Sequence, residues 1–188
     1  MPSVRTAPFP GFIRPALATL ETSAPGSSGW VHELKFDGYR LQVPIRAGEV
    51  ALLTRRGLDR TYRFGEELRT ALLGLPVQSA ILDGEVVVLA ANGLPSFAAL
   101  KEALSEGDGR FVFYAFDLLY LDGRDLRDLP LLERKAALAK ITTPGRVHTA
   151  SILRTARRSS RRHAPWARKA LSPSAAMLLI GLDVGKLG

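Results

Sequence analysis

The segment Glu33-Leu34-Lys35-Phe36-Asp37-Gly38-Tyr39-Arg40 sets a lysine at the end of a short apolar run, with a glycine turn and an arginine directly after it. A free lysine titrates near about 10.4 and is a weak nucleophile at neutral pH. Burial, or a neighbouring cation such as Arg40, would expose its lone pair. Asp37 is suited to orient the amine or help hold a divalent metal, and Gly38 lets the backbone turn tightly beside a ligand. Taken alone, Lys-x-Asp-Gly is explained equally well by a surface lysine paired with a carboxylate ahead of a β-turn.

Three further segments follow: Thr54-Arg55-Arg56-Gly57, Asp83-Gly84-Glu85-Val86 and Tyr114-Ala115-Phe116-Asp117-Leu118-Leu119. Singly, each has a plainer explanation, since Asp-Gly-Glu is usually a turn and a strand phenylalanine is usually core. In this order, behind Lys-x-Asp-Gly-x-Arg, they resemble the motif series of the covalent nucleotidyltransferases, the ligases and capping enzymes. The stretches Ser96–Leu100, Leu121–Leu126 and Leu131–Lys135 narrow the resemblance to the adenylation domain of ATP-dependent DNA ligases, and most closely to the ligase domain of bacterial non-homologous end-joining ligases. It covers about residues 10 to 147.

That resemblance implies that Lys35 attacks the α-phosphate of ATP, expels pyrophosphate and carries AMP as a phosphoramidate. It implies that Arg40 and Arg55 are bidentate donors to phosphate or ribose, a task suited to guanidinium geometry. Glu85 would accept from the ribose hydroxyls or support a metal-bound water, Phe116 would stack on adenine, Glu33 would face the purine edge and Asp37 would lie near Lys35. Magnesium is implied by the charge that must be neutralised as pyrophosphate leaves. The implied partners are nicked or broken double-stranded DNA and, beside it, an end-joining polymerase or end-binding proteins, in DNA repair and recombination.

The elements that must hold these residues are short. β-type runs are expected at Trp30–Leu34, Tyr39–Ile45 and Val50–Thr54, the last two joined by Arg46-Ala47-Gly48-Glu49. Helices are expected at Ala16–Glu21 (a short turn), Gly65–Leu73, from Ser96 as N-cap through Leu104, and at Leu131–Ile141. Strands are expected around Ala80–Leu89 and Phe111–Tyr120, with turns at Ala91-Asn92-Gly93 and Asp122-Gly123. Hairpin-linked strands with intervening helices predict an α+β fold. The resemblance makes this a nucleotidyltransferase (ATP-grasp-like) adenylation domain with antiparallel sheets and flanking helices, truncated before its last strands.

The chain has 188 residues and no cysteine, which excludes disulfides and thiolate chemistry and allows a reducing cytosol. No apolar run reads as a membrane span, so a cytoplasmic protein is expected. The net charge is +8, but residues 1–145 hold equal numbers of Lys+Arg and Asp+Glu, and the excess lies in the tail. Arg154, Arg157, Arg158, Arg161 and Arg162 could grip phosphates, although a solvated basic segment explains them more simply.

Four regions are expected: a Pro-, Ser- and Gly-rich lead-in (1–29), a partial adenylation domain (30–147), a basic irregular segment (148–174), and residues 175–188, which faintly resemble the opening strands of a ligase OB-fold domain. Two later family motifs, a Glu-Gly-Val-type strand and a Trp-x-Lys-x-Lys-type strand, are not found. A shifted reading frame in a GC-rich gene would produce the foreign text of about 148–170. Two other readings are a capping or RNA-ligase relative and a non-catalytic nucleotide- or DNA-binding remnant with Lys35 unactivated.

Overall fold

The computed structural model describes residues 5–16, 30–34, 36–107, 109–142, 145–150, 152–153 and 179–183. Among these the strands are β1 (Arg5–Thr6), β2 (Trp30–Leu34), β3 (Tyr39–Arg46), β4 (Glu49–Val50), β5 (Leu53–Thr54), β6 (Ser79–Val88), β7 (Phe111–Leu121), β8 (Arg124–Asp125), β9 (Val147–Thr149), β10 (Ile152–Leu153) and β11 (Leu179–Asp183). The helices are α1 (Gly65–Leu73), α2 (Phe97–Glu106) and α3 (Leu131–Ile141), with a 3-10 turn at Thr61–Arg63. The larger sheet runs β1-β8-β7-β6-β3-β4, with β5 also on β3 and β9 on β7; a second sheet runs β10-β2-β11. Pairing is antiparallel except β7 with β9, which is parallel.

Alternation along the central strands separates two faces. Leu41, Val43 and Ile45 of β3, Ala80, Leu82, Val86 and Val88 of β6, and Phe111, Phe113 and Ala115 of β7 join one core. Leu68 and Leu72 of α1, Leu100 and Ala103 of α2, and Leu138 and Ile141 of α3 pack into the same core, so the helices cover this face. The opposite face carries Arg40, Gln42, Asp83, Glu85, Val112, Tyr114 and Phe116, and it is here that the chemistry-bearing residues of the motifs collect.

Local sequence explains the element ends. The β3–β4 connection turns on Ala47 (φ 53°) and Gly48 (φ 76°), successive positive dihedrals that match the twist of a two-residue hairpin. Ser96 caps α2 by accepting from the Ala99 amide at 3.2 Å, and Gly107 (φ 73°) closes it in the left-handed region. The run Val50–Thr54, expected as one strand, is divided into β4 and β5 because the Leu52 amide turns to the Thr61 hydroxyl (2.8 Å).

The short helix expected at Ala16–Glu21 lies, Ala16 apart, outside the described residues, as do 154–178 and 184–188. Residues 179–183 form β11, which pairs along the whole of β2, from Leu179 opposite Leu34 to Asp183 opposite Trp30. The strand that leads into Lys35 is therefore the centre of the second sheet.

Candidate active site

On the face opposite the main core, strand register fixes which motifs meet. Arg40 is opposite Glu85 and Gln42 opposite Asp83 across β3 and β6, and Asp83 is opposite Asp117 and Glu85 opposite Tyr114 across β6 and β7. Two register shifts in the β6–β7 ladder, between Ile81 and Leu82 and between Asp83 and Gly84, re-aim β7 where Phe116 and Asp117 lie. Directly opposed aspartates would repel. Each is instead taken by its own arginine: Arg40 closes on Asp83 through Nε (3.2 Å) and Nη2 (2.8 Å), and Arg134 of α3 closes on Asp117 through Nε (2.8 Å) and Nη2 (3.0 Å).

A third pair completes the layer. Lys135 of α3 joins Glu33 of β2 and also donates to the Phe116 carbonyl, so one ammonium ties the second sheet to the bulged strand of the first. Burial raises the pKa of Glu33 and outweighs the lowering by Lys135. Burial likewise raises Asp83, against the opposing bonds from Arg40. These carboxylates face the site as neutralised members of ion pairs.

The loop after Lys35 is clamped from below. Gly38 donates its amide to Glu85 Oε1 (3.2 Å), and a Cβ at Gly38 would lie 2.3 Å from the Val86 carbonyl oxygen, so only glycine allows this approach. Phe36 stacks on Tyr114 (centroids 4.2 Å apart) and Tyr114 stacks on His148 (5.2 Å), fixing the loop's other end against β7 and β9. Burial raises the Tyr114 pKa and lowers that of His148.

The N-terminal segment is pinned to the same face. Buried Gln42 accepts from the Ile13 amide and donates to the Ile13 carbonyl, both at 2.7 Å, standing in for one rung of strand pairing. Three residues on, the Ala16 carbonyl accepts from Arg40 Nη1 at 3.0 Å.

Of the residues singled out in the sequence, Arg40, Glu85 and Phe116 come together: the Arg40 guanidinium lies 5.2 Å from the Phe116 ring centroid. The bidentate partner of Arg40 here is Asp83. Glu33 is on the adjoining sheet, held by Lys135. Asp37 is exposed in the bend, and Arg55 is exposed at the turn after β5, one residue past Thr54, which pairs with Leu41. Lys35 itself lies outside the described residues.

Sequence reasoning gave no role to Asp83, Asp117, Arg134, Lys135 or Gln42. A signal existed for the α3 pair. Leu131, Arg134, Lys135, Leu138 and Ile141 form one buried stripe at helical spacing, so two cations occupy positions where apolar residues belong. Asp117, inside an apolar strand, is the matching anion.

Among the described residues no three acidic or histidine side chains converge as a metal cage, and no helix is long and apolar enough to cross a membrane. Asp83, Asp117 and Glu33 are committed to cations. Glu85 in turn accepts from the Gly38 amide, and a magnesium ion would fit here in the manner common for that ion, through a single carboxylate with nucleotide phosphates completing its shell.

Residues 16–168 match the family model of the ATP-dependent DNA ligase domain. This chain belongs to the ATP-dependent DNA ligase domain family. It is 49% identical over 132 residues to the multifunctional non-homologous end joining protein LigD of Pseudomonas aeruginosa, covering 70% of this chain and 16% of that protein. Over 139 residues it is 41% identical to the multifunctional non-homologous end joining DNA repair protein LigD of Mycobacterium tuberculosis, covering 18% of it. The crystal structure of the ligase domain from M. tuberculosis LigD superposes with a TM-score of 0.64 at 37% identity, over 73% of this chain and 45% of that one. A mycobacterial DNA ligase D complexed with ATP and MES gives 0.61 at 37% identity. The chain thus spans under a fifth of the length of these curated relatives.

Proposed function

We propose that this chain performs the nucleotide-transfer chemistry of an ATP-dependent DNA ligase acting in end-joining repair. The observation that carries the reading is the convergence of the motif residues Arg40, Asp83, Glu85 and Phe116 on the sheet face opposite the main hydrophobic core, beside the clamped loop that follows Lys35.

In this reading the deprotonated Lys35 amine attacks the α-phosphorus of ATP. A nitrogen–phosphorus bond forms, the bond to the bridging oxygen breaks, and pyrophosphate carries away the electron pair. Arg40, oriented by Asp83 and the Ala16 carbonyl, offers its remaining N–H groups to phosphate or ribose, and Arg55 approaches from the neighbouring turn. Glu33 faces the purine edge, Phe116 presents a ring face to adenine, and Asp37 stands beside the lysine. Glu85 accepts from the ribose or holds the magnesium ion, whose contribution when bound is to neutralise phosphate charge. AMP then passes to a DNA 5′-phosphate, and a 3′-hydroxyl displaces it to seal the strand.

The proposed partners are nicked or broken duplex DNA and the polymerase and end-binding functions of end joining, in the cytoplasm. Support comes from the LigD relatives, whose names specify non-homologous end joining. The test is covalent nucleotide transfer with ATP and GTP compared as donors, followed by sealing of a nicked duplex. Labelling from ATP alone supports the ligase reading, and a preference for GTP would move the chain to the capping enzymes.

A further inference from the structure

Lys135 is a buried cation to which the nucleotide chemistry proposed above gives no task. α3 buries Leu131, Arg134, Lys135, Leu138 and Ile141 together, so two neighbouring cations enter the interior and part there to different partners. Arg134 is spent close by: its Nε and Nη2 close on Asp117, and its Nη1 donates to the Leu129 carbonyl at 2.6 Å. Lys135 crosses to the second sheet, where its ammonium joins Oε1 of Glu33 on β2, and it donates as well to the Phe116 carbonyl on β7. The Lys135 and Glu33 side chains are only 4% and 7% exposed, so solvent ions do little to screen this pair.

The two contacts of Lys135 join two walls of one site. Phe116 is the residue proposed to stack on the base and Glu33 the residue proposed to face its edge. A single ammonium bonds to the backbone of the first and the carboxylate of the second, although β7 and β2 belong to different sheets. Adenine carries one donor group on its edge, the 6-amino, among nitrogens that accept. An ionised carboxylate only accepts, so it can pair with adenine only there. A purine with oxygen at position 6 would set acceptor against acceptor. Burial and the charge of Asp117 both favour the uncharged form of Glu33, and the Lys135 ammonium opposes them. An uncharged carboxyl donates as well as accepts and would lose the distinction.

We propose that Lys135 is a positioning residue that sets the choice of nucleotide: by holding Oε1 of Glu33 beside the Phe116 backbone, it presents Oε2 as a charged acceptor for the 6-amino group of ATP and turns 6-oxo purine nucleotides away. This rests on the nucleotide reading above, in which Glu33 faces the purine. Lys135 itself touches no substrate and acts through Glu33.

The test compares, by calorimetry on the full chain, the binding of ATP and of inosine triphosphate, whose base carries oxygen in place of the 6-amino group. The wild type is expected to favour ATP by about tenfold or more, the effect of leaving a polar group unmatched in a buried site. Lys135→Gln keeps a donor for the Phe116 carbonyl and drops the charge, and it is expected to lose that preference. Glu33→Gln is expected to lose it too, and the double variant to lose no more than either, because the two residues act as one unit. Lys135→Arg keeps a cation and is expected to keep the preference, which decides the matter should Lys135→Gln not fold. A merely structural role would lower both affinities together and leave their ratio. An unchanged ratio in Lys135→Gln, a lost ratio in Lys135→Arg, or a wild type that binds both nucleotides equally therefore overturns the proposal. Covalent labelling by ATP, measured on the same samples, separates the two ideas. Label with an unchanged ratio overturns the role of Lys135 alone, whereas a ratio that falls in Lys135→Gln without label in any sample supports that role and overturns the transfer chemistry.

Discussion

Arg40 grips Asp83 on a diagonal. Register sets Arg40 opposite Glu85, yet its Nε and Nη2 close on the two Asp83 oxygens at 3.2 and 2.8 Å. An arginine so held is aimed before any nucleotide arrives, which lowers the cost of binding one. Asp83→Asn keeps the shape and removes the charge. The Asn amide nitrogen would face one of the two Arg40 donors that the Asp83 oxygens now accept from, and leaving such a group unmatched costs about 1–3 kcal/mol, so the variant should lose about that much stability and bind ATP more weakly. Urea denaturation and a nucleotide titration check both, and unchanged ATP affinity would remove Asp83 from the positioning of Arg40.

Gln42 predicts a different kind of loss. Gln42→Leu leaves the Ile13 amide and carbonyl without their 2.7 Å partners. Stranding two backbone groups costs about 1–3 kcal/mol each when they stay buried. Release of the segment is the cheaper response, so protease should cut between residues 7 and 16 sooner in the variant than in the wild type. Equal cutting rates would contradict the pin.

The raised carboxylates give stability a definite pH sign. Glu33 and Asp83 bind protons more tightly folded than unfolded. Their contribution is present below the unfolded value of about 4 and is lost as pH rises through the folded values. Glu33→Gln has no proton to release, so its unfolding free energy should fall less steeply above about pH 4. His148 acts in the opposite sense: its pKa is lowered, so its contribution is present above the unfolded value of about 6.5 and is lost as pH falls through that value toward the folded one. His148→Phe keeps a ring against Tyr114 and should remove that second slope. Denaturation curves from pH 4 to 8 read both, and parallel curves for variant and wild type would refute the assignment.

Gly84 is a steric prediction. An added Cβ would lie 2.5 Å from the Tyr114 carbonyl oxygen and 2.4 Å from the Phe113 ring. Strand and ring must both shift, so Gly84→Ala should cost about 3 kcal/mol, at the upper end for single substitutions. A thermal midpoint within a degree or two of wild type would show that the β6–β7 contact relaxes freely.

The helices α1 and α3 and the strand β2 coincide with the spans read from periodicity and capping signals, because leucine stripes and alternating apolar runs report burial directly. The paired layer beneath the site was less legible. Asp83, Asp117, Arg134 and Lys135 are charged residues whose partners are set by register shifts and helix docking, which are long-range relationships that no local spacing encodes. The pairing of β11 with β2 was hidden for the same reason: 144 intervening residues separate Leu34 from Leu179.

Transfer of AMP to Lys35 is read most directly by incubating the chain with magnesium and ATP labelled at the α-phosphate, denaturing it and detecting covalent label, with Lys35→Ala alongside. Label is expected on the wild type and none on Lys35→Ala. A folded wild type that takes up no label, or label that persists in Lys35→Ala, would contradict it.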